Sequence, residues 1–219
     1  MTINKDPNKE SLVDIAVDPD ISAKELALEI EIDPLEQIDE DSFPKGLNIT
    51  QECNEALKML KGNREERIQG LRIFCEYRDS RSFPLLLPLL DQPCPVERMS
   101  VVYALGRNPC PSAVEKLVTL LETDDNAYVR RATAWSLANY DNQIVLKPLI
   151  NALKNDVAAV RLWSSSSLAE IGNVSLENAQ LAAEQLLISL KIDNEPGVRS
   201  NCIWSLSVSY THLTLPTTR

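Results

Sequence analysis

The chain is short of the residues that most catalytic centres need. It has one histidine in 219 residues, His212, and six glycines. A single histidine excludes an ordinary His-based catalytic dyad or a His-rich metal cluster within one chain. Six scattered glycines leave no Gly-rich loop to cradle a phosphate, and no Ser/His/Asp or Cys/His set is present. Long apolar runs are missing too. FPLLLPLL (83–90) is among the longest, far short of the roughly 20 residues that a membrane-spanning helix requires. The opening MTINKDPNKE has no apolar stretch of the signal-peptide kind, so a cytoplasmic location is expected.

Cysteines are few and unpaired by spacing. Cys53, Cys75, Cys94, Cys110 and Cys202 make an odd count without a C-x-x-C pair, which argues against a disulfide framework or a zinc site. Cys94-Pro95 and Cys110-Pro111 resemble a pair. A helix between them would hold them roughly 24 Å apart at 1.5 Å per residue, so separate helix-start cysteines are expected and metal ligands are not.

The net charge of −10 is unevenly placed. Residues 1–60 hold 15 Asp+Glu against 5 Lys+Arg, and the remainder holds 17 of each. The body is therefore electrically balanced, without the cationic surplus that counterion release requires, and a nucleic-acid partner is not expected. The acidity concentrates in residues 1–46, where EIEIDPLEQIDEDSFP carries seven carboxylates and no cation. This stretch reads as a disordered leader with a transient helix around SAKELALEIE. It is a solvating arm in one reading, a docking peptide built on Leu26, Leu28 and Ile30 in another.

What is abundant is repetition. Order is expected from near Thr50, an N-cap candidate before QECNEALKMLK. Arg67, Arg98, Arg130, Arg161 and Arg199 then follow at spacings of 31, 32, 31 and 38. Seven residues beyond each stands an apolar anchor: Phe74, Leu105, Leu137, Leu168 and Leu206. A second apolar run begins 19 residues beyond the first three arginines, at LLPLLD (86–91), LVTLLE (117–122) and LINALK (149–154). The fourth, LLISLK (186–191), comes 25 beyond Arg161, and its six extra residues are assigned to the loop around IGNVSLENAQ. Each unit contains two helical patterns separated by polar or proline breaks, with almost no period-2 alternation. One such pair cannot bury its apolar faces alone, so the pairs must stack.

The pattern D-x-x-x-V-R-x-x-A-x-x-S-L followed by L-x-x-L-L resembles a HEAT repeat. The copies are DNAYVRRATAWSL (125–137), DVAAVRLWSSSSL (156–168) and EPGVRSNCIWSL (195–206), with VERMSVVYALGRNPCP (96–111) as a variant. They are most similar to the HEAT-like repeat of the cyanobacterial phycobilisome lyase family. The implied fold is all-α: a right-handed α-solenoid of about five hairpins over residues 47–208, behind the acidic arm. Residues 209–219 depart from the pattern. The stretch VSYTHLTLPTTR has β-branched residues, a proline and no helical period, and residues 209–219 are read as an irregular tail that an assembly artefact accounts for better than a genuine terminus does.

On a wheel of 100° per residue with the repeat arginine at zero, positions −1, +3, +6, +7 and +10 form the core face. Tyr140 is thus assigned to the core and Trp163, at +2, to a packed flank. The resemblance implies that Arg67, Arg98, Arg130, Arg161 and Arg199 are structural, each bonding an acid or carbonyl of the next repeat. Asp125, Asp156 and Asp193 are the candidate partners or helix caps. It also implies that these helices line a concave surface. Positions +1 and +5 point there, which makes Arg72, Met99, Tyr103, Arg131, Trp135 and Trp204, with nearby Arg107, the candidate contacts for a partner or a pigment. Aromatics and arginines are the usual anchors of interfaces.

The favoured function is a protein-binding scaffold acting through that face in maturation or turnover of the photosynthetic antenna, with a phycobiliprotein subunit as partner. The alternatives are a bilin lyase or lyase subunit, with the arginines pairing the propionates of phycocyanobilin, and an accessory role in iron–sulfur cofactor assembly. No catalytic residue and no resident cofactor is assigned. A bilin would enter as bound substrate.

Overall fold

The computed structural model describes residues 49–172 and 175–210. The expectations for the acidic leader and for the tail beyond Tyr210 lie outside the described residues. The described residues form ten α-helices joined by short turns. In chain order they are α1 (Ile49–Met59), α2 (Arg64–Glu76), α3 (Phe83–Leu89), α4 (Pro95–Arg107) and α5 (Val114–Thr123). There follow α6 (Ala127–Leu137), α7 (Leu146–Asn155), α8 (Ala158–Gly172), α9 (Leu176–Ile192) and α10 (Pro196–Tyr210). One-turn 3-10 segments lead into α3, α5 and α7.

Side-chain caps set many of the starts. Asn63 and Glu66 form a reciprocal capping box on α2, Asn126 accepts from the Tyr128 and Val129 amides of α6, and Ser175 caps α9. The Cys94-Pro95 pair opens α4, with proline where the missing N–H is no loss. Three boundaries differ from expectation. Thr50 lies inside the first turn of α1, because the helix already includes Ile49. The extra residues of the fourth unit lengthen α9 at its N-terminus instead of widening a loop: Ser175 supplies a cap and LENAQ continues the helical pattern. Helix α10 runs through Ser209 and Tyr210, where irregular backbone was expected.

The helices form two layers. The arginine-bearing helices α2, α4, α6, α8 and α10 pack side by side as an inner layer, while α1, α3, α5, α7 and α9 lie behind them and scarcely touch one another. Closer spacing in one layer bends such a stack toward that layer. The stack is an α-solenoid, and its core runs along the seam between the layers. The anchors Phe74, Leu105, Leu137 and Leu168 are fully buried there, as are Leu86, Leu117 and Leu149 of the outer helices. Close approach depends on small residues. Gly70 of α2 faces the backbone of α1, and a Cβ there would sit 3.0 Å from the Ala56 carbonyl oxygen.

The inner face of the repeats

The repeat arginines connect the units. Arg98 donates from Nε and Nη2 to the two carboxylate oxygens of Asp124, both at 2.8 Å. Arg130 does the same to Asp156 at 2.9 and 2.7 Å, and Arg161 to Asp193 at 2.8 and 3.0 Å. Each acid stands just ahead of the next inner helix. The Nη1 of each arginine turns the other way, onto carbonyls of the turn before its own helix. Arg130 takes Asp124 O, Arg161 takes Asp156 O and Arg199 takes Asp193 O, each at 2.8 Å. Asp124, Asp156 and Asp193 therefore each serve two units, one through the side chain and one through the backbone. Planar bidentate pairing is what arginine supplies and lysine cannot.

The bond to Asp124 also raises the pKa of the Arg98 guanidinium above its ordinary value. Two details correct the sequence reading. The acid at the second junction, paired with Arg98, is Asp124, not Asp125, and the carbonyls come from the arginine's own leading turn, not from the next repeat. At the first junction Gln92 occupies the place of the aspartate, and Arg67 bonds Glu97 of α4 instead, at 2.8 Å from Nε and 2.7 Å from Nη2.

Neutral bonds repeat the same logic. At +10, Asn108 donates to Phe74 O at 2.7 Å and Tyr140 donates to Leu105 O at 3.0 Å, so each reaches the anchor residue of the preceding unit. At +6, Ser167 bonds Ala134 O and Ser205 bonds Ser165 O. Burial pushes the Tyr140 phenol up from its ordinary value. The Cys202 thiol is likewise pushed up to about 11 by burial.

The candidate contact residues separate into three groups. Met99 and Tyr103 are 4% and 7% exposed and belong to the core, which corrects their assignment to the open face. Helix α4 has inner neighbours on both sides, α2 and α6, and its +1 and +5 side chains are covered by them. Trp135 is half-buried: its ring lies 5.4 Å from that of Tyr103, tilted by 59°, and it rests on Gly106. Arg72 and Arg131 are also half-buried, and the Arg131 guanidinium stands 5.2 Å over the Tyr128 ring. Arg107 is exposed, and Trp204 is 50% exposed. Of the +5 aromatics, Tyr103 and Trp135 touch across a repeat boundary.

A model of HEAT repeats matches residues 54–138 and 114–207. The chain belongs to the HEAT-repeat family. No curated protein matches it. The matched spans together run from within α1 to within α10, and so include the Arg–Asp pairs that join the units. HEAT repeats commonly serve as protein-interaction scaffolds. Among the described residues no helix is long and apolar enough to cross a membrane.

Sequence reasoning missed three features of this HEAT stack. Trp163, assigned to packing, is 37% exposed on α8. Ile203 of α10 is 56% exposed, although the other inner helices bury the equivalent position. A shallow polar cleft of about 310 Å³ lies between Leu121 and Glu122 on one side and Pro148 to Val157 on the other, and Arg130 and Asp156 line it. Their mutual pairing occupies the charges that a ligand would need there. Ile203 stands on α10, the last inner helix among the described residues, so no described helix covers it.

Proposed function

We propose that this HEAT protein is a non-catalytic scaffold that binds a phycobiliprotein subunit in the cytoplasm, during maturation or turnover of a photosynthetic antenna. One observation carries the binding surface. The inner helices present exposed Arg107 and Trp204, with half-buried Arg131 and Trp135, on the side away from the outer layer. Arg107 and Trp204 belong to neither the Arg–Asp rungs nor the buried core. Exposed tryptophan and arginine on a rigid scaffold are what binding hot spots are made of. The likeness of the repeats to those of the phycobilisome lyase family supports the choice of partner.

The test is binding of the full chain to purified phycocyanin and its apo-subunits by calorimetry. Arg107→Glu with Trp204→Ala is expected to weaken binding at least ten-fold while leaving the thermal midpoint within a few degrees. Binding that ignores both substitutions overturns the surface, and no binding to any subunit overturns the partner. Covalent transfer of added phycocyanobilin to the apo-subunit, read from the visible spectrum, would identify a lyase instead.

A further inference from the structure

We infer that the acidic leader of this chain docks across the chain's own inner face, with residues 29–41 over α4 and α6, and competes there with other occupants. The competition rests on the binding function proposed above; the docking does not.

The seat lies within the stack. Helices α4 and α6 have described inner helices on both sides, so the openness of this stretch does not come from an end of the chain. On the 100° wheel, position +9 falls between the +5 and +2 positions, directly away from the repeat arginine. Across the first four units it holds Glu76, Arg107, Asn139 and Glu170, and all four are exposed. The two carboxylates stand on α2 and α8, so the middle of the row offers a cation and an amide. No carboxylate among the described residues pairs with Arg107. Beside this row lie half-buried Arg131 and Trp135 on α6 and exposed Trp163 on α8. Cations and indoles are therefore interleaved across neighbouring helices.

The chain arrives at the edge of this seat. Arg81, in the turn after α2, donates to Asn54 of α1 at 2.8 Å. Asn108, at the end of α4, donates to Tyr77 O at 3.2 Å. The first half of α1, the turn after α2 and the end of α4 thus share one edge of the stack, where Arg78 and Arg107 are exposed. Residues 42–48 join that edge to the acidic run and can span up to roughly 25 Å. The 13 residues from 29 to 41 can themselves span roughly 40 Å, against interaxial steps of about 10 Å between packed helices. Reach is sufficient to cross α4 and α6.

Chemistry selects this occupant. EIEIDPLEQIDED (29–41) has seven carboxylates and no cation, with Ile30, Ile32, Leu35 and Ile38 set among them. Carboxylates match Arg107 and Arg131, and the aliphatic side chains match the faces of Trp135 and Trp163. A tethered segment also meets its site at an effective concentration that a free partner rarely reaches. The inner face of a second copy offers the same arginines and tryptophans, with no acidic run.

The test uses the full chain with a photo-cross-linking phenylalanine analogue in place of Ile32. Irradiation of mixed heavy- and light-isotope chains is expected to join residue 32 to α4 or α6 of the same chain, read by mass spectrometry. The yield is expected to fall about ten-fold in roughly 1 M salt, where charges are screened beyond about 3 Å. A similar fall is expected with Arg107→Glu, and with Glu31→Gln, Asp33→Asn and Glu36→Gln together. Cross-links that fall elsewhere, that join two chains, or that ignore both salt and the substitutions overturn the inference. Competition is read separately, as affinity for the apo-subunits of phycocyanin. A face left open in about a tenth of the molecules weakens apparent binding about ten-fold, so the chain with the neutralised leader is expected to bind more tightly by that factor. Equal, measurable affinities overturn the competition. Absence of binding by both chains overturns the proposed partner instead, and the cross-links still decide the docking.

Discussion

Arg130 and Asp156 meet edge to edge, two parallel N–H···O bonds of 2.9 and 2.7 Å joining the third unit to the fourth. Both side chains are largely shielded from water. Removing one partner of such a pair strands the other, at a cost of about 3 kcal/mol, more than the pair itself contributes. Asp156→Ala and Asp124→Ala are each expected to lower stability by about that amount. Asp125→Ala, one residue away and exposed, is expected to change it by less than about 0.5 kcal/mol. Urea unfolding midpoints of the three variants decide the matter, and equal effects for Asp124 and Asp125 would remove Asp124 from the ladder.

Gly106 lets Trp135 lie against α4. A Cβ at that position would stand 2.5 Å from Cζ3 of the indole. Gly106→Ala is therefore expected to destabilise by about 1–3 kcal/mol through overpacking. The cost should shrink in a Trp135→Ala background, where the clash is gone. A double-mutant cycle measures this coupling, and strict additivity would show that the two residues do not meet.

Asn108 is a buried hub. Its amide donates to Phe74 O, Tyr77 O and Ala104 O, and its Oδ1 accepts from the Asp79 amide at 2.8 Å. Asn108→Leu leaves these groups without their partner and is expected to cost about 2–3 kcal/mol. Thermal unfolding checks it, and a shift below two degrees would contradict the role.

Burial keeps the Cys202 thiol protonated up to about pH 11 in the folded chain. The unfolded thiol ionises near pH 8.5, so above that pH the folded state binds more protons than the unfolded one. Stability contributed by this group is complete below about pH 8.5 and falls as pH rises toward 11. Cys202→Ala should flatten the fall of the unfolding midpoint over that range. At pH 8, iodoacetamide should modify half-buried Cys94 in the native chain well before Cys202. Equal labelling rates would contradict the burial.

The repeat period, the two-helix unit and the core face follow from local information. Arginines at near-constant spacing, with anchors seven residues on, require helices whose apolar sides coincide, and helices of this length need neighbours to bury them. The sequence reading assigned the repeat arginines to structure, because a residue present in every unit regardless of its surroundings serves the repeat. It pointed to Asp125, where the structure uses Asp124. Both precede the helix, and only the path of the turn decides which carboxylate reaches back to Arg98.

Exposure was the other quantity that the tertiary structure alone decided. On an isolated helix, Tyr103, Trp135 and Trp204 occupy the same position and have the same outlook. In the stack, inner helices flank Tyr103 on both sides, Trp135 lies across Gly106, and Trp204 stands on the last described inner helix. One wheel position therefore gives a core residue, a seam residue and a surface residue. Local periodicity sets the direction in which a side chain leaves its helix, and the number of neighbouring helices sets whether water reaches it.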